Sequence, residues 1–197
     1  MLAFLNIPFD QRYESLYLAF IAGLSGFGLV PQAVLQVLGS QRRLDRLVRL
    51  LGACKYSLHT SPESNSTPAA RRRHDSICPS NLGWLWQMPN IVAMGIGGLS
   101  EAKGFRVLKS LSDIDGTEVY IHRCGPIGVL RGLTNALARS RHRPTVRELQ
   151  AVYRDVKQTA EILKQELATP TLFDTRPFLD LVLAASIGAK RRIASLR

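Results

Sequence analysis

Asn6 and Asp10 bracket "NIPFD" at the end of the apolar opening run. Their amide and carboxylate groups can hydrogen-bond the hydroxyls of a ribose. Arg43, near the start of a helical stretch, offers a guanidinium that can face a phosphate. His59 closes "CKYSLH" and can orient or polarise a sugar, and Phe9 and Tyr56 stand in the same segments as these polar groups. Plainer readings compete with each: Asp10 as the cap of the first helix, Arg43 as a surface cation, His59 as a hydrogen-bonder at a strand end. What gathers them is their place in the chain. Residues 6–10, 39–43 and 56–59 each follow a strand-like run, and open α/β sheets bind ligands outside the carboxyl ends of their central strands.

The elements that must position them read in alternation. "MLAFLN" has the apolar character of a central parallel strand covered on both faces. Residues 13–25 make a helix with Leu16, Ala19, Phe20 and Leu24 inward, ended by residues 26–28, and residues 30–37 make a buried strand. Residues 41–51 place Leu44, Leu47, Val48 and Leu51 at helical spacing with arginines opposite. "CKYSLH" is a third strand, residues 103–111 a helix, Asp115-Gly116 a turn and "TEVYIH" a late strand. Gly125-Pro126 then opens another helix. This order predicts an α/β fold, an open parallel sheet with helices on both faces, over residues 1–140.

Residues 141–197 predict a C-terminal helical extension packed on that sheet. Thr145 and Glu148 form a capping box for "VRELQAVYRDVKQTAEILKQEL", whose apolar stripe is Leu149, Val152, Tyr153, Val156, Ala160 and Leu163. Residues 168–170 break it, and residues 175–196 form a last helix, apolar first and basic at its end. These two helices pack on the sheet edge or present an interface to a protein partner or a second copy.

Residues 60–100 interrupt the pattern. A polar Ser/Pro/Arg half is followed by an uncharged half with Trp84 and Trp86, with no sustained period of 3.6 or 2. Codon arithmetic makes this a translated frameshift: one base inserted after the His59 codon lets the bases for residues 60–68 read Asp-Leu-Ser-Arg-Val-Glu-Leu-Asp-Pro. The same shift turns residues 74–90 into a run containing Met-Pro-Phe-Glu-Leu-Gly. The competing reading is a natural low-complexity insertion.

With the frame restored, "FLNIPFDQRYESLYLAFIAGLSGFGLVPQAVLQ", "RRLDRLVRLLGACKYSLH" and "LSDIDGTEVYIH" resemble a family of uncharacterised bacterial proteins. Its layout is similar to TIR-like and nucleoside 2-deoxyribosyltransferase-like domains. The resemblance implies an N-glycosidase or ribosyltransferase-like activity on NAD or a nucleoside as substrate, with no cofactor. It also implies a glutamate at the position of Asn81, the carboxylate that attacks or stabilises the anomeric carbon. An asparagine cannot carry that charge, so the chain as written is inactive. The alternative is a non-catalytic nucleotide-sensing or protein-interaction module of the same layout.

Other chemistries fare worse. His122 with Cys124 and His74 with Cys78 lack a second pair at zinc spacing, so no metal is expected. "GIGG" at residues 95–98 lacks the full dinucleotide-loop spacing. The net charge of +11 sits largely in "QRRLDRLVR", "RRRH", "RSRHR" and "KRRIASLR" without interleaved aromatics, so nucleic acid is disfavoured. Residues 15–41 are uncharged over a length that can span a bilayer, but Gly23, Gly26, Gly28 and Pro31 divide them, and no membrane span is expected. Three cysteines, an odd number, and no secretory n-region suggest the cytoplasm.

Overall fold

The computed structural model describes residues 1–7, 11–33, 49–50, 52–59, 91–95, 119–121, 125–138, 143–173, 175 and 177–197. Within them the chain is mixed α/β. Five strands, β1 (Leu2–Asn6), β2 (Val30–Ala33), β3 (Cys54–His59), β4 (Ile91–Gly95) and β5 (Val119–Ile121), pair in the order β2-β1-β3-β4-β5. Every pairing is parallel. Four helices accompany them: α1 (Glu14–Gly26), α2 (Pro126–Ala136), α3 (Val146–Leu167) and α4 (Pro177–Ala194). The helices expected over residues 41–51 and 103–111 lie wholly or largely outside the described residues, as does the second half of the strand expected over 30–37.

α1 is the hub. It touches α2, α3, α4 and β2, and its residues from Tyr17 to Gly26 are all buried, not one stripe of them. Small residues permit this enclosure. A methyl group added at Gly23 would collide with Leu133 of α2, and one added at Gly26 would collide with Leu149 of α3. Gly28, at φ +76°, then turns the chain into β2 in a conformation that side chains resist. The first part of that uncharged run, residues 15–26, is therefore a helix walled in by its own protein, and residues 30–33 are a strand. Among the described residues no helix is long and apolar enough to cross a membrane.

α3 begins as the sequence expects. The Thr145 hydroxyl accepts from the Glu148 backbone N–H at 3.2 Å, and Glu148 accepts from the Thr145 N–H at 2.6 Å. Leu149, Val152, Val156 and Ala160 are buried, with Tyr153 and Leu163 packed against the same cluster. The helix ends at Ala168, which takes a left-handed conformation (φ 48°). The connection to α4 is pinned by Phe173, which with Phe178 and Tyr17 forms an edge-to-face triangle, centroids 5.4–5.7 Å apart. Phe173 and Phe178, buried almost fully, each contribute about 1.5–3 kcal/mol of transfer free energy.

Candidate functional site

The register of β1 on β3 decides which residues share the carboxyl edge. Leu2 pairs with Cys54, but Ala3 pairs with Tyr56, so β3 carries one extra residue at its start. From there Leu5 faces Leu58 and Asn6 faces His59. Without the extra residue Asn6 would meet Leu58. The irregularity therefore keeps two leucines paired in the core, both almost fully buried, and sets Asn6 and His59 opposite each other in the backbone register at the end of the ladder. Both belong to interior strands, β1 and the central β3, and β2 and β4 flank this pair on either side.

The other candidates divide. Tyr56 stands three residues back from His59, half-buried and packed against the helix core, so it supports the strand rather than the edge. Phe9, Asp10, Arg43 and Asn81 lie outside the described residues, as do Trp84, Trp86, the pairs His74/Cys78 and His122/Cys124, and most of residues 60–100. Five residues of that irregular segment do have a place: Ile91–Gly95 form β4, with His59 opposite Ala93. The N-cap of α1 is Tyr13, whose side chain makes no capping hydrogen bond; a 3-10 turn, Gln11–Tyr13, separates it from Asp10.

One polar feature near this edge escapes sequence reasoning. Glu14, in the first turn of α1, is buried and pairs with Lys164 of α3 at 2.9 Å. A carboxylate at a helix N-terminus also meets the positive end of the helix dipole. The second oxygen, Oε2, is buried without a hydrogen-bond partner among the described residues. Nearby, the Gln11 amide donates to the Pro170 carbonyl at 3.4 Å, so the same clamp ties the start of α1 to the end of α3. The two members of the ion pair are 150 positions apart, and no local pattern links them.

Cys54 is half-buried at the start of β3, at the opposite end of that strand from His59, and burial pushes its thiol up to about 11. A thiol so held is a poor nucleophile at neutral pH. Comparison with protein-family models, with curated proteins and with solved structures finds no match for this chain in any of the three.

Proposed function

We propose that the chain is a nucleotide- or nucleoside-binding domain of the TIR-like or nucleoside 2-deoxyribosyltransferase-like kind. In this reading the sheet is an open, doubly wound one, and the sugar sits at the carboxyl edge between β1 and β3. The observation that carries it is the pairing of Asn6 with His59. In the strand order 2-1-3-4-5 the chain leaves β1 in one direction and returns at β3 in the other, and ligands of such sheets bind at that switch point. Asn6 would take ribose hydroxyls and His59 would orient the sugar, with Asp10 and Arg43 adding a second hydroxyl contact and a phosphate contact.

Catalysis needs a carboxylate at the anomeric carbon. The written chain has Asn81 at the position where the resemblance implies a glutamate. The chain as written then binds without cleaving, as a nucleotide-sensing module, and the frame-restored chain is an N-glycosidase. Incubating both with NAD and with deoxynucleosides, beside a frame-restored chain whose restored glutamate is replaced by glutamine, separates the cases by release of free base. Base released by the restored chain alone supports the enzyme reading. No release from either substrate class by the restored chain removes it.

A further inference from the structure

The outer side of the α3–α4 layer carries a charge pattern that fits a second copy of itself. The Asp155–Arg192 pair (3.1 Å) and the Glu148–Arg197 pair (2.7 Å) place the end of α4 beside the start of α3, so the two helices run antiparallel. On α3 an exposed row of residues spaced by four, Arg154, Gln158, Ile162 and Glu166, starts opposite the buried stripe and winds about 40° per step towards α4. On α4 the exposed row is Asp180, Ala184, Ile187 and Arg191, spaced by four, three and four. All eight are exposed. Ile162 and Ile187 are large apolar side chains left 47% and 66% open, which gives this face an apolar centre. Glu166 and Asp180 stand at one end of it, Arg154 and Arg191 at the other. Among the described residues none of these four charges has an ion pair within the chain.

We propose that this face is a homodimer interface. Its two-fold axis crosses the helices at right angles near Ile162 and Ile187, so that each helix lies antiparallel over its own copy. The 12-residue step from Arg154 to Glu166 is about 18 Å along α3, and the 11-residue step from Asp180 to Arg191 is about 16 Å along α4. The poles therefore exchange in register: Glu166 over the second copy's Arg154, Asp180 over the second copy's Arg191, with the isoleucines meeting between them. An axis parallel to the helices would stack acid on acid and base on base, so charge selects the first arrangement. The reading does not depend on the sugar pocket, which lies at the carboxyl edge of the sheet.

Sedimentation velocity on the full chain tests it, over a range of concentrations and at physiological ionic strength to screen the net charge of +11. The wild type is expected to dimerise reversibly. Arg191→Glu or Asp180→Arg alone sets like charges together at two symmetry-related places and should weaken the dimer about tenfold. Together the two substitutions rebuild the pair with its signs exchanged and should restore association. Circular dichroism confirms that each variant is folded. A wild type that stays monomeric, single variants that dimerise as the wild type does, or a double variant as weak as the singles would each overturn the proposal.

Discussion

Replacing Glu148 with glutamine removes one charge from the start of α3 and changes almost nothing else in size. In the wild type, Arg197 donates to one carboxylate oxygen at 2.7 Å, and the Thr145 N–H and hydroxyl donate to the other at 2.6 and 3.0 Å. The Arg197 contact, first, and the Thr145 N–H, second, hold the carboxyl at about 2, below its ordinary 4.5. Arg197 is more than half exposed, so its ion pair adds little to stability. The larger loss is the exchange of a charged for a neutral acceptor in the capping box, about 1 kcal/mol. For a chain of this size that lowers Tm by about 2–4 °C. The dependence on pH has a definite sign. A depressed carboxyl stabilises the fold above the unfolded value near 4.5, and that contribution fades as pH falls towards 2. Thermal unfolding of wild type and Glu148→Gln at pH 7, 5, 4 and 3 should show a full gap at the first two and a shrinking one below. Equal melting at pH 7, or a gap that widens with acid, would refute this account of the cap.

Three further outcomes follow from the packing. Leu149→Ala empties a fully buried site over Gly26 and should cost about 2–5 kcal/mol by urea unfolding; a loss under about 1 kcal/mol would mean α3 is not seated there. Lys164→Met strands the buried Glu14 carboxylate and should destabilise by about 3 kcal/mol, whereas Lys164→Met with Glu14→Gln should recover much of that; equal losses in the two variants would remove the pair from the core. In a chain carrying Cys78→Ser and Cys124→Ser, Cys54 should alkylate slowly at pH 8 and speed up only towards pH 11; a rate at pH 8 matching that of a free thiol would contradict its burial.

Much of the fold is legible in residue order because the relevant signals are local. Thr145 and Glu148 are three residues apart, and a capping box needs no tertiary partner, so the start of α3 reads directly. "CKYSLH" coincides with β3, Cys54–His59. Burial of α1 on every side is not legible. An all-round apolar helix has no stripe to show which face is inward, and the residues that enclose it come from α2, α3 and α4. Of the site, Asn6 and His59 can be picked out as polar groups ending apolar runs. Their pairing cannot, since one extra residue at the start of β3 sets it. The Glu14–Lys164 pair is hidden for a related reason: only the docking of α3 on α1 brings the two together.

The proposed sugar site at the carboxyl edge is tested most directly by calorimetric titration of the written chain with ADP-ribose, beside His59→Ala and Asn6→Ala. Saturable binding by the wild type, weakened about tenfold or more in each variant with melting temperatures unchanged, is the predicted result. No heat of binding from the wild type, or variants that bind as well as it does, would contradict a ribose site between β1 and β3.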